Sequence, residues 1–127
     1  MGFILNLFRN RPKTDKDGVA INALRKRGVD MTRPLMLRHF LYFALEYEAR
    51  VVAAQLVKQG FDIDLLDAPM NSGLLVVARR ADAPDGDAIR VLRASLHELA
   101  LSQKGEYDGW EAELPSGEGI AGATART

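Results

Sequence analysis

LMLRHFLYFALEYEARVVAAQLVKQGFDIDLLD, residues Leu35 to Asp67, changes its hydrophobic period twice, and those changes decide the fold. In Leu35–Phe43 the bulky, aromatic residues alternate as in a strand. Leu35, Leu37, His39, Leu41 and Phe43 fall on one face, and Met36, Arg38, Phe40 and Tyr42 on the other. Both faces are largely apolar, which predicts a central strand. From Glu46 to Gln59 the spacing becomes helical, with Tyr47, Val51, Ala54 and the Leu56/Val57 pair as the expected buried stripe and Gly60 as the stop. Phe61, Ile63 and Leu65 then alternate with Asp62 and Asp64, the pattern of a half-exposed strand.

Further along, APMNSG makes a turn and LLVVARR (74–80) reads as a second buried strand, so the pair forms a hairpin. ADAPDGD is a loop in which Asp82 or Ala83 can cap a helix, with Pro84 in its first turn. That helix carries Ala88, Leu92, Leu96 and Leu99 inward and ends near Lys104, with Gly105 just past its end. GEYDGWEAEL (105–114) is the last strand. Upstream, Asp15 or Asp17 caps a helix through VAINALRKR with Val19, Ala23 and Leu24 buried, ended by Gly28. After that helix the order is strand, helix, strand, strand, helix, strand. This predicts an α+β, ferredoxin-like βαββαβ sandwich, with two helices on one face of a four-stranded antiparallel sheet. The expected layout is an amphipathic arm and linker over residues 1–16, one domain over 17–114, and a flexible, glycine-rich tail over 115–127.

At 127 residues the chain is one domain long enough to bury a core, and 47% hydrophobic with 27% charged residues is a globular composition. Lys plus Arg and Asp plus Glu both total 17, so no bulk field draws it to nucleic acid. Residues 1–50 carry ten basic and five acidic side chains, and residues 51–127 carry seven and twelve, a modest dipole. There is no cysteine, which excludes disulfides, thiol catalysis and cysteine-bound metal and fits a cytoplasmic compartment. The start, MGFILNLFRNRPK, is too short to span a membrane, and its basic residues follow the apolar run, against the order of a signal peptide. Phe3, Leu7 and Phe8 make it an amphipathic arm suited to a membrane surface or a partner, or a segment packed on the domain.

Chemistry-bearing patterns are sparse. His39 and His97 have no second ligand at helical spacing, so no metal site is expected. DIDLLD (62–67) lacks the central glycine and terminal glutamate of a calcium loop. No nucleophile elbow or phosphate-cradling loop appears, so no catalytic residue and no cofactor are assigned. Phe40 and Tyr42 share a strand face, as base-stacking aromatics do. The RNA-recognition signature is nevertheless absent, and Glu106, Asp108, Glu111 and Glu113 on the last strand would repel phosphates. Two readings of the only tryptophan stay open. Strict alternation places Tyr107, Gly109, Glu111 and Glu113 on one face and Asp108, Trp110 and Ala112 on the other. Trp110 is then either a core residue or, with Tyr107 and Asp108, an aromatic–acid patch for a protein partner. Gly109 weakens a strand unless a bulge or a close approach needs it. Phe40 and Tyr42 offer a second contact surface or, in the alternative reading, the open sheet face of a structural domain that self-associates into a dimer or binds a small ligand.

GVDMTRP followed by the HFLYF strand, the AAQLVKQGF helix exit and above all EYDGWE resemble the RraB family of regulators of ribonuclease activity, over roughly residues 17–113. The resemblance implies a ferredoxin-like fold and a bacterial, cytoplasmic, non-enzymatic protein. It further implies a protein that binds ribonuclease E and inhibits RNA cleavage through contact with the enzyme's scaffold region. No catalytic residues come with it. Tyr107, Asp108, Gly109 and Trp110 match the family motif.

Overall fold

A computed structural model of the chain describes residues 16–68, 73–84, 86–113 and 119–121. The order is α1 (Lys16–Lys26), β1 (Leu35–Phe43), α2 (Glu46–Lys58), β2 (Asp62–Asp67), β3 (Leu74–Asp82), α3 (Gly86–Ser102), β4 (Glu106–Glu113) and β5 (Gly119–Ala121). The strands form one sheet in the order β2-β3-β1-β4-β5, every neighbouring pair antiparallel. β1 is central, as its two apolar faces predict, and β2 and β3 form the expected hairpin.

The fifth strand differs from the four-stranded expectation. Gly119–Ala121, within the segment read as a flexible tail, pairs with Glu111–Glu113 of β4. Backbone pairing at an open sheet edge needs no particular side chain, so composition gives no sign of it. The arm carrying Phe3, Leu7 and Phe8, the candidate cap Asp15 and most of the APMNSG turn lie outside the described residues. Asp17 lies within α1 instead of capping it.

All three helices pack on one face of the sheet. One cluster joins Leu41, Phe43, Val76 and Ala78 of the strands to Ala49, Val52 and Leu56 of α2 and Leu96 and Ala100 of α3. A second joins Leu37, Trp110 and Ala112 to Ala20, Ile21 and Leu24 of α1 and Ile89 of α3. These inward stripes are offset from those predicted. In α1, Val19 is 63% exposed and Ala20 and Ile21 are buried. In α2, Tyr47 and Val57 are 69% and 58% exposed, while Ala49, Val52 and Leu56 face the sheet. In α3, Ile89 and Ala100 replace Ala88, which is exposed. The cause is shared: each helix carries apolar residues on more than one side, and periodicity does not say which side meets the sheet.

The helix ends follow from hydrogen-bond geometry. Each closes with a bond from the residue two past its cap to a carbonyl five residues back: Val29 to Leu24 at 3.1 Å, Phe61 to Leu56 at 3.1 Å, and Gly105 to Ala100 at 2.8 Å. Gly28 and Gly60 occupy the left-handed position in the first two, at φ 78° and 92°. In the third that position falls to Lys104, at φ 62°, and not to Gly105. At its N-terminus, α2 begins after Leu45, whose backbone N–H donates to Glu48 Oε1 at 3.2 Å. Leucine carries no acceptor to answer it, so only the return half of a capping box is present.

Candidate functional site

β1 and β4 position the residues singled out in the sequence, and a β-bulge decides how. His39 pairs with Trp110 and Leu41 with Tyr107, so Asp108 and Gly109 together oppose the single residue Phe40. Gly109 adopts φ 110°, a conformation that L side chains rarely take. The extra residue resets the alternation, and Tyr107 and Trp110 both fall on the helix-covered face. Strict alternation had placed them on opposite faces. Trp110 is 0% exposed and packs in the core between α1 and α3. Asp108 is buried in the bulge.

Tyr107 is half-buried, and its hydroxyl lies 2.9 Å from His39 Nδ1. His39 is fully buried, with Phe61 edge-on to its ring at 5.9 Å and no partner at Nε2. Burial, reinforced by the Arg80 charge, lowers its pKa to about 3. Such a ring is neutral at physiological pH and out of reach of substrate, which removes it as a general base. It has a consequence for stability. Below the ordinary histidine value of 6.5 the unfolded chain takes up a proton that the folded chain refuses, so stability is lost as pH falls from 6.5 toward 3. The expected loss is about 1.4 kcal/mol per pH unit in that window. Denaturant titrations at a series of pH values check this, and His39→Asn is expected to flatten that slope.

Phe40 and Tyr42 lie on the opposite face, away from the helices, so the structure separates them from Tyr107 and Trp110. Phe40, Leu75 and Val77 are buried there and Tyr42 packs against them, half-buried. Across the sheet, the row Leu66–Leu75–Tyr42–Glu106 has exposed residues at both ends, Leu66 being 50% exposed. The next row places exposed Asp64 beside Val77 and Phe40. A third row, Asp62–Arg79–Arg38–Glu111, sets two adjacent arginines between two carboxylates. Arg38 pairs with Glu111 and also reaches Glu113 at 3.5 Å, while Arg79 meets Glu113 at 3.0 Å. That hydrogen bond to Glu113 raises the Arg79 pKa, helped by the charges of Glu113, Asp62 and Asp64. On β1 to β4 this face carries Asp62, Asp64, Glu106, Glu111 and Glu113 against Arg38 and Arg79. The carboxylate excess opposes a nucleic-acid backbone and suits a protein partner with basic and apolar groups. Periodicity identified Phe40 and Tyr42, but the contribution of Asp64 and Leu66 depends on the β2–β3 register.

An open groove of about 620 Å³ runs between the end of β3 and α3, lined by Arg80, Asp82, Ile89, Leu92 and Ser95 among others. Arg80 is held there by two bonds to Asp82, at 2.8 and 3.0 Å, by the Gln59 carbonyl at 3.0 Å, and by stacking on Phe61 at 4.2 Å. Among the described residues, no cluster of three or more His, Cys, Asp or Glu could hold a metal ion. Nor is any described helix long and apolar enough to cross a membrane.

The described fold and site define an α+β domain whose conspicuous feature is a charged, partly apolar sheet face. The model of one family, regulator of ribonuclease activity B (RraB), matches residues 14–112. The chain belongs to the RraB family, whose members are regulatory and non-catalytic. Comparison with curated proteins finds no match.

Proposed function

We propose that this protein is a non-enzymatic, cytoplasmic bacterial regulator that binds ribonuclease E and slows RNA cleavage by protein–protein contact. The family match over residues 14–112 carries the reading. The carboxylate excess around Tyr42 supports a protein partner over direct RNA binding. The order β2-β3-β1-β4, with the helices on one side, supports a ferredoxin-like arrangement extended by β5. The contact surface is the face bearing Tyr42, with Phe40 beneath it and Leu66, Asp64 and Glu106 at its margins. Tyr107, Asp108 and Trp110 act through the fold, by shaping the strand that presents Glu106 and Glu111.

The test is a cleavage assay with full-length ribonuclease E from the same source and increasing amounts of this protein. Dose-dependent slowing is expected, and it disappears when the enzyme's scaffold region is deleted. Tyr42→Ala combined with Asp64→Lys is expected to raise the half-inhibitory concentration about tenfold or more, with circular dichroism unchanged. Full inhibition by that variant would remove the face from the proposal. No slowing by the wild-type protein at large excess would remove ribonuclease E.

A further inference from the structure

The two edges of the sheet differ. β4 is covered by β5, whereas β2 pairs with β3 alone. Among the described residues, no backbone hydrogen bond outside that pairing engages Asp62–Asp67. A strand turns its N–H and C=O groups to both sides, so the outward set of β2 is open to a further chain. Two common barriers to such pairing are missing: the β2–β3 register runs from Asp62 to Asp67 without a shift, and the strand contains no proline. Charge is the barrier that remains, and it is of one sign. Asp62, Asp64 and Asp67 are exposed and take part in no ion pair among the described residues. The arginines of β3 are committed elsewhere, Arg79 to Glu113 at 3.0 Å and Arg80 to Asp82 at 2.8 Å. Arg79 acts on Asp62 and Asp64 only through longer-range charge, and the cross-strand neighbours of Asp64 and Asp67 are Val77 and Leu74.

We propose that β2 takes up an extended, basic segment of its protein partner as a further strand, antiparallel like every pair in the sheet. The register dictates the chemistry of that segment, because residues directly opposite share a face and touch. Asp62 and Asp64 on the open face, and Asp67 on the helix side, require lysine or arginine opposite them. Ile63 and Leu65, half-buried against the core cluster, and Leu66, 50% exposed on the open face, require apolar residues. In the antiparallel sense the segment runs basic, apolar, apolar, basic, apolar, basic. A second copy of the chain does not meet this requirement. Pairing β2 with β2 gathers the aspartates of both copies along one seam with no cation between them, which is repulsive. The same carboxylates that bar self-pairing therefore admit a basic strand. This inference rests on the reading that the open face meets a protein partner with basic and apolar groups, and Asp64 and Leu66 belong to both surfaces.

The probe is a fluorescein-labelled, end-capped peptide with the core Lys-Val-Val-Lys-Val-Lys, titrated with the whole protein at low salt and followed by anisotropy. Saturable binding is expected, about tenfold or more tighter than for the same residues ordered Lys-Lys-Lys-Val-Val-Val. N-methylation tests the backbone pairing, since alternate amides of an added strand face β2. Methylating one alternate set is expected to weaken binding about tenfold or more, and methylating the other to leave it within about twofold. Asp64→Asn combined with Asp67→Asn, both at exposed positions, is expected to weaken binding about tenfold with circular dichroism unchanged. Absence of saturable binding, equal binding of the two orderings, or equal effects of the two methylations would overturn the proposal. Peptide binding that falls away as the protein self-associates would do the same and give the edge to a second copy. No ribonuclease enters these measurements. A peptide that fails while the enzyme is inhibited overturns strand addition alone, and an uninhibited enzyme beside a peptide that binds as described overturns the choice of enzyme alone.

Discussion

Trp110→Ala is expected to destabilise the protein by about 3–5 kcal/mol, the loss typical of a large aromatic removed from a core. The side chain is 0% exposed and lies among Leu37, Ala112, Ile21, Leu24 and Ile89, so it ties α1 and α3 to the middle of the sheet. A deletion there leaves a cavity that two helices and two strands would have to collapse to fill, and close-packed interiors relax only in part. For a domain of this size the expected loss is a large fraction of total stability. Urea unfolding followed by tryptophan-independent far-ultraviolet circular dichroism measures it. The result also separates the two readings of the EYDGW motif. A core tryptophan costs folding first and ribonuclease inhibition only as a consequence. A variant that unfolds like the wild type yet fails to inhibit would return Trp110 to the interface.

Gly105→Ala is the second large effect, about 3 kcal/mol, from overpacking instead of a cavity. Gly105 is buried where α3 turns into β4. A Cβ built there comes 2.3 Å from Cε1 and 2.4 Å from Cδ1 of Phe43, and 2.6 Å from the Tyr42 carbonyl oxygen. The carbonyl belongs to the central strand, and the Phe43 ring is itself buried in the main cluster with Ala49 and Val52. Neither gives way without disturbing the sheet. The same denaturant measurement applies, and Lys104→Ala serves as the comparison at the adjacent exposed position. A Gly105→Ala variant as stable as the wild type would show that the chain passes this point with more room than the structure gives it.

The alternation at Leu35–Phe43 and Asp62–Asp67 and the helical spacing between them were enough to place β1, α2 and β2 in order, because backbone period is written directly in hydrophobic spacing. The hairpin of β2 and β3, the central place of β1 and the glycines that end α1 and α2 were legible for the same kind of local reason. The EYDGW motif also located the family, which residues 14–112 bear out.

What the spacing could not supply was the choice among competing surfaces. α2 carries one apolar stripe through Tyr47 and Val51 and another through Ala49 and Val52, and only packing against β1 and β3 determines which is buried. A bulge of one residue between His39 and Leu41 moves Tyr107 across the sheet, and no local composition beyond Gly109 announces it. β5 arises because β4 leaves an edge unpaired, a circumstance that exists only once the sheet is built. The sequence by itself determined the elements from α1 to β4, their order and the kinship of the chain. The tertiary structure decided which faces meet, because burial is a property of the whole assembly of elements and not of any one of them.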